Sequence, residues 1–412
     1  MKYVIIIPDG CADSPLDILG GLTPMQAAHL PNMDAVARMG VVGLANNVPD
    51  TLTPASDVAT LSLFGYDPLQ VYTGRAPLET VAMGIRLGPD DWAIRCNLVT
   101  VVDGKMFDFT AGHIDSADGA KLMATVQERL GGPVRGGTLE FFAGVQYRNI
   151  LVFRADEPGS APFTRATAAQ PPHDIPDRPI ESHLPTGPGS ELLIDLMRRS
   201  VAILTDHPTN RDRIAEGKKP ATTVWLWGQG CAPVVRPFRD VYGCGGAIIS
   251  AVDLVRGVGL LLGWTRIDAP GATGYLDTDY ASKGRTGIEA LKSHDLVCVH
   301  IEAPDEASHE GRADEKVLAL ERIDRDIVGP MLEALSHYGD YRILISPDHR
   351  TPISTRAHSR GAVPFTIAGA GIVPDGIASY DEVSASSSSL TFDPGWKLMS
   401  RFLGHPPSET TR

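Results

Sequence analysis

Short apolar runs bounded by turn residues recur along the chain, at residues 4–7, 223–227, 247–249, 296–301, 343–345 and 364–368. Within each run the hydrophobicity is continuous rather than alternating, the pattern of a strand covered on both faces. Helix-like stretches lie between them, at 25–39, 252–262, 285–293 and 315–336. This alternation predicts an α/β fold with a doubly wound, mostly parallel sheet.

The alternation breaks over residues 72–219, where Gly/Pro-rich turns such as Gly131-Gly132-Pro133 and Pro171-Pro172-His173 separate denser strand-like patterning. That segment is expected to be an inserted α+β lid domain, leaving 1–71 and 220–412 as the core. The serine run at 384–389 and the tail after His405 read as solvated loop and frayed terminus, and neither is assigned chemistry.

With 412 residues, 43% of them hydrophobic and 21% charged, the chain can bury one large core and still carry the insertion. The formal net charge of -13 argues against nucleic acid or a membrane surface as partner, because both are anionic. An anionic substrate would need a local basic pocket. The five cysteines form no C-x-x-C pair and leave one unpaired, which suggests neither a zinc knuckle nor a disulfide framework and fits a reducing cytoplasm. The apolar run at 4–7 ends at Pro8-Asp9, too early for a signal-peptide core or a membrane span. No G-x-x-x-x-G-K-[ST] loop occurs, and the glycine pair in Gly271-Ala272-Thr273-Gly274 does not imply a nucleotide site.

Candidate chemistry clusters where strands end. Asp9 directly follows the first apolar run, and in an open parallel sheet the carboxyl ends of strands line the ligand crevice. After the run at 296–301 come Asp305 and His309, four residues apart and therefore on one helical face. After 343–345 come Asp348 and His349, with His358 in a Thr/Ser/Arg-rich loop. Any one of these could be a turn aspartate or a structural histidine. Acids and imidazoles after three separate parallel strands would instead converge on one crevice, as a metal cage of mixed oxygen and nitrogen ligands. Such ligands suit Mn²⁺, Zn²⁺ or Mg²⁺, and two such ions can clamp the entering and leaving oxygens of a phosphate. Ser56 opens a helix-like segment, where a serine is most often a plain N-cap but where anions are also favoured.

Taken together, Pro8-Asp9-Gly10, Pro31-Asn32-Met33-Asp34, Ser56-Asp57-Val58-Ala59, Gly65-Tyr66-Asp67-Pro68, Tyr72-Thr73-Gly74-Arg75, Pro270 to Gly274, Asp305 to His309 and Asp348-His349 carry a resemblance that runs nearly end to end. The chain resembles the archaeal-type, 2,3-bisphosphoglycerate-independent phosphoglycerate mutases, a branch of the alkaline phosphatase superfamily. The resemblance implies a core of alkaline-phosphatase type and two divalent ions, Mn²⁺ before Zn²⁺ or Mg²⁺. Asp9, Ser56, Asp348 and His349 would hold one ion, and Asp305, His309 and His358 the other. It also implies a phosphorylated Ser56 that carries the group between the 3- and 2-positions of a small phosphorylated substrate, under a lid that keeps water out. Lys283 of the core and Arg75, His113 and Arg148 of the insertion would grip that substrate, with His173 and Asp174 as further, weaker candidates.

Some positions depart from the archaeal pattern: His113 in place of Arg, Pro304 before Asp305 in place of Thr, and Arg350 after Asp348-His349. With Trp225-Leu226-Trp227-Gly228-Gln229-Gly230, they resemble a bacterial sub-branch proposed to act as homoserine kinases. A homoserine kinase-like phosphotransferase and a metal-dependent phosphatase therefore stand as alternatives on the same metal core.

Overall fold

The computed structural model describes residues 1–405, so the tail expected to fray lies outside the described residues. Its strands, in chain order, are β1 (Lys2–Pro8), β2 (Gly40–Ala45), β3 (Trp92–Val102), β4 (Lys105–Asp108), β5 (Gly132–Val134), β6 (Gly137–Val145), β7 (Arg148–Ala155), β8 (Thr223–Cys231), β9 (Gly246–Ile249), β10 (Thr265–Arg266), β11 (Leu296–Ile301), β12 (Tyr341–Ile345), β13 (Val363–Gly369) and β14 (Thr391–Phe392). The chain divides into two compact units, one of Met1–Tyr72 with Val235–Arg412 and one of Thr73–Val234.

The first unit is an eight-stranded sheet in the order β10-β9-β11-β1-β12-β13-β2-β14. It is mostly parallel, with β13 antiparallel to both of its neighbours. β1 sits between β11 and β12, with Ile6 beside Val299 on one side and Ile345 on the other. Val4 to Ile7 and all six residues of β11 are fully buried, as continuous apolar runs require. Because these three strands run the same way side by side, the loops that follow them leave from one edge of the sheet.

Two strands depart from the sequence reading. The run at 223–227 was expected to join the large sheet; it forms β8, which pairs antiparallel with β3, and the second unit accordingly extends to Val234. β2 was not anticipated, because glycines at 40 and 43 dilute its apolar run. Their lack of a side chain is what lets neighbouring backbone approach: a Cβ on Gly40 would lie 1.9 Å from the Ile367 carbonyl oxygen, and one on Gly43 2.4 Å from that of Leu390.

The stretch at 25–39 becomes two helices, Pro24–Ala27 and Pro31–Met39, because a proline cannot continue the first and is well suited to start the second. The stretch at 315–336 is helical but widens into a π turn at Asp324–Val328, just before Pro330, which has no N–H for the carbonyl four residues back. Asp324 uses the widened turn to accept from the backbone N–H groups of Asn32 (3.2 Å) and Met33 (2.7 Å), capping the helix at Pro31–Met39. The serine run is not all loop: Glu382–Ser386 is helical, with Asp381 accepting from the N–H groups of Val383 and Ser384.

The second unit is a six-stranded antiparallel sheet in which β3 pairs with β4, β7 and β8, and β7 continues to β6 and β5. Helices Ser116–Leu130 and Ser190–Thr205 contribute Leu122, Val126, Leu193 and Leu196 to a core shared with Phe153 and Trp225. The β3–β4 hairpin turns on Asp103-Gly104, both at positive φ, as a tight two-residue turn demands. Among the described residues no helix is long and apolar enough to cross a membrane, and all five cysteines are free thiols.

Candidate active site

Three parallel strand ends supply most of the candidate site. Asp9 follows β1, is fully buried, and is tied to the next strand by its N–H, which donates to the Ile301 carbonyl at 3.0 Å. Asp348, beyond β12, accepts through Oδ1 from the N–H groups of Gly10 (3.3 Å) and His349 (2.9 Å). His349 Nε2 lies 3.4 Å from Asp9 Oδ1, 3.5 Å from Asp348 Oδ2 and 3.1 Å from the hydroxyl of Ser56. Ser56 is the first residue of helix Ser56–Leu63, and Ala55 occupies the capping position. The bland reading of Ser56 as an N-cap therefore does not hold; its hydroxyl faces an imidazole at the positive end of the helix.

The second group is built on helix Ala303–Glu310, which follows β11. Asp305 and His309 face the same side, with Oδ2 and Nε2 3.0 Å apart. His358 brings its Nε2 to 3.5 Å from Asp305 Oδ2 and 3.1 Å from His309 Nε2, and its ring lies 4.3 Å from that of His349. Each of the seven residues expected in the cage thus lies within 3.5 Å of at least one other. Gly10 makes the close approach possible: at φ +58 it sits where a Cβ would be 2.2 Å from Asp305 Oδ1.

Sequence reasoning missed three polar residues in this cluster. His300 lies inside the apolar run of β11, where it was read as one more strand position; its Nε2 is 2.7 Å from Asp9 Oδ2 and its Nδ1 is 3.0 Å from the Ser250 hydroxyl. Glu302 lies two residues further on, with Oε2 3.6 Å from His300 Nε2. Thr351 donates its hydroxyl to Asp305 Oδ1 at 2.5 Å. A histidine in an otherwise apolar, fully buried strand was the available signal.

The electrostatics are strained by like charge. Burial pushes the Asp9 carboxyl well up, and the charges of Asp348, Glu302 and Asp305 push it further. Burial likewise raises Glu302, to about 8, helped by Asp305. Burial lowers His300 to about 3, keeping it neutral, and lowers His349 too. Burial also pulls His309 down, but its contact with Asp305 prevails and holds it at about 9.

Asp9 Oδ1, Asp348 Oδ2 and Glu302 Oε2 are buried acceptors without a hydrogen-bond partner. Potential ligand atoms of Asp305, His309 and His358, and of Asp9, Asp305 and His349, lie within 4.8 Å of one another, as do those of Asp9, His300 and Glu302. Orphaned carboxylate oxygens beside imidazole nitrogens, in a buried site with excess negative charge, fit divalent cations.

Of the expected substrate-gripping residues, Lys283 is in this unit, on helix Tyr280–Ala290. It is fully buried, and its Nζ donates to the carbonyls of His300 (3.3 Å) and Thr273 (3.4 Å). Burial lowers its pKa to about 8 against the opposing charge of Glu302. Arg75, His113 and Arg148 belong to the second unit. Arg75 lies 3.8 Å from Glu79, whose other oxygen binds the buried Arg95 at 2.9 Å. Exposed Arg148 lies over the Tyr147 ring. His113 is exposed at φ +50. His173 packs edge-on against Trp227, and burial raises the carboxyl of its neighbour Asp174.

Residues 37–210 match the profile of the 2,3-bisphosphoglycerate-independent phosphoglycerate mutase family. A protein of that name from Methanothrix thermoacetophila is 51% identical over 94% of this chain and 95% of its own. A probable 2,3-bisphosphoglycerate-independent phosphoglycerate mutase from Geobacter sulfurreducens is 45% identical over 98% of this chain and 100% of its own. Among solved structures, the cofactor-independent phosphoglycerate mutase of Thermoplasma acidophilum superposes with a TM-score of 0.65 at 25% identity, covering 98% of this chain and 99% of that one. The buried acid–histidine cluster beside Ser56 and the near full-length identity to these proteins agree: the chain belongs to the 2,3-bisphosphoglycerate-independent phosphoglycerate mutase family.

Proposed function

We propose that the protein interconverts 3-phosphoglycerate and 2-phosphoglycerate through a phosphoserine at Ser56. Asp9, Ser56, Asp348 and His349 would hold one divalent cation, with Asp305, His309 and His358 holding a second, Mn²⁺ before Zn²⁺ or Mg²⁺. The observation that carries this reading is the Ser56 hydroxyl 3.1 Å from His349 Nε2 at a helix N-terminus, beside the unpartnered oxygens of Asp9 and Asp348.

When bound, such cations supply the positive charge that transferring phosphoryl oxygens and an ionising hydroxyl require. Ser56 Oγ attacks the phosphorus of 3-phosphoglycerate. The bond from phosphorus to the 3-oxygen breaks as the serine ester forms, and the departing 3-oxygen takes up the proton that the Ser56 hydroxyl gives up, leaving glycerate. The glycerate turns to present its 2-hydroxyl, which takes the phosphoryl group back and restores Ser56. The backbone N–H groups at the start of helix Ser56–Leu63 favour the phosphorylated state, because a helix N-terminus attracts anions. The unit Thr73–Val234 is proposed as the substrate-binding lid, with Arg75, His113 and Arg148 as its cationic contributors and Lys283 as that of the core.

The test is an enolase-coupled assay of metal-loaded protein, in which 3-phosphoglycerate should yield enolase substrate without added 2,3-bisphosphoglycerate. No isomerisation would overturn the mutase reading. Phosphohomoserine formed from ATP and homoserine, or inorganic phosphate released from 3-phosphoglycerate, would redirect it to a kinase or a phosphatase on the same core.

A further inference from the structure

Thr351 is fully buried, lies just beyond Asp348-His349 and carries a single hydroxyl between two residues of the cage. Its Oγ1 is 2.5 Å from Asp305 Oδ1 and 3.1 Å from His349 Nδ1. A hydroxyl has one proton to give, and an ionised carboxylate oxygen only accepts. The Thr351 proton therefore goes to Asp305, and the hydroxyl oxygen is left as an acceptor. The hydrogen bond to His349 then requires the imidazole to donate from Nδ1. In a neutral imidazole a proton on Nδ1 leaves Nε2 with its lone pair, and Nε2 is the atom that faces the Ser56 hydroxyl and Asp9 Oδ1.

The hydroxyl itself is held from two sides. The Thr351 N–H donates to the Ala12 carbonyl at 3.3 Å, and its carbonyl accepts from Lys316 Nζ at 3.0 Å. Lys316 is buried and pairs with Asp13 at 2.8 Å, and Asp13 also accepts from the N–H of Ile353 at 3.1 Å. This ion pair brackets the Thr351 backbone, so the side chain has little freedom to choose another partner. Gly10 closes the remaining side, since a Cβ there would lie 2.6 Å from Thr351 Oγ1.

We infer that Thr351 is a positioning residue that couples the two proposed metal sites, its one hydroxyl holding His349 of the first in the Nδ1–H tautomer while orienting Asp305 of the second. The inference rests on the metal assignment above. Loss of an outer-sphere hydrogen bond to a metal ligand characteristically weakens metal affinity about 10- to 100-fold. Here a single substitution should weaken both sites together, whereas a purely structural residue would lower stability and leave the tautomer and the metal affinities alone.

The experiment compares the full-length wild-type protein with Thr351→Val, which keeps the shape and deletes the hydroxyl, and Thr351→Ser, which keeps the hydroxyl. Mn²⁺ and Zn²⁺ binding would be measured by equilibrium dialysis. Metal-free protein labelled with ¹⁵N-histidine would be examined by long-range proton–nitrogen correlation, with His349→Asn identifying the signal. The expected result is an Nδ1–H signature for His349 in wild type and Thr351→Ser and a mixed or Nε2–H signature in Thr351→Val. Thr351→Val should also bind metal about 10- to 100-fold more weakly at both sites, with binding restored in Thr351→Ser. An Nε2–H tautomer in the wild-type protein would overturn the inference even if Thr351→Val did not fold. Equal metal affinities in wild type and Thr351→Val would overturn it while leaving the two-metal reading intact. Wild-type protein that bound neither metal would instead defeat that reading itself.

Discussion

The two units of this chain handle charge in opposite ways, and the direction of their strands is the reason. In the large sheet β1, β11 and β12 lie side by side and parallel, so the segments after them start from one edge. Asp9, Asp305 and Asp348 are thereby gathered, all buried, beside the buried imidazoles of His300 and His349, and several carboxylate oxygens lack partners there. In the antiparallel sheet consecutive strand ends fall on opposite edges, and charges there meet opposite charges instead. Arg154 bridges Asp91 and Glu140, each at 2.8 Å, and Lys219 meets Asp108 at 2.7 Å. Among the described residues no cluster of three or more potential metal ligands falls in that unit. Parallel topology concentrates like charge that an added cation can offset, whereas antiparallel topology disperses and neutralises it.

The comparison breaks most sharply at Ser56. Ser56→Ala should lower the isomerisation rate by at least about a thousandfold, as removal of a nucleophile does, while the melting temperature changes little. Undiminished turnover in the coupled assay would mean that the nucleophile lies elsewhere.

A more moderate effect is expected at the glycine that lets the strand-end loops crowd together. Gly10→Ala puts a side chain on a residue at φ +58, costing about 1–2 kcal/mol in backbone strain alone. It would also displace Asp305 and Thr351, both nearer than van der Waals contact to the new Cβ. Urea unfolding should register the loss of stability and equilibrium dialysis a fall in Mn²⁺ binding; normal values in both would show that the loop has room to relax.

The smallest effect sharpens the picture of the paired charges in the antiparallel unit. Burial tends to raise the Asp108 carboxyl, but hydrogen bonds from Lys219 and Thr110 prevail and bring it to about 2. An unfolded aspartate titrates near about 3.9, so the pair's stabilisation is fully present above that value and is lost as the pH falls toward about 2. Asp108→Asn should remove this portion of the acid sensitivity, a change below about 1 kcal/mol because Lys219 is half-exposed and screened. Urea midpoints of the two proteins that differ by the same amount at about pH 5 and about pH 3 would contradict the pairing.

Much of the core was legible because a strand buried on both faces must be apolar throughout, whatever surrounds it. β1, β9, β11, β12 and β13 were all anticipated on that ground, and Asp9, Asp305, His309, Asp348 and His349 followed from standing just beyond such strands. β2 was not legible, since its glycines are there for the neighbouring backbone at Ile367 and Leu390. β8 was legible as a strand but not as a member of the smaller sheet, because its apolar run from Thr223 to Trp227 fits either partner equally well. His300 stands out locally as the one histidine of a buried apolar strand, but nothing in that strand names Asp9 as its partner.

The sequence by itself determined which residue types follow which strands, and so the inventory of acids, imidazoles and the serine. Periodicity and ligand chemistry are local properties and can be read locally. Only the tertiary structure decided that Ser56 meets His349, that His309 and His358 face each other, and that Thr351 stands between Asp305 and His349. Those pairings join residues as many as 293 positions apart, and they depend on strand order and register, which are settled by packing of the whole core rather than by any segment of it.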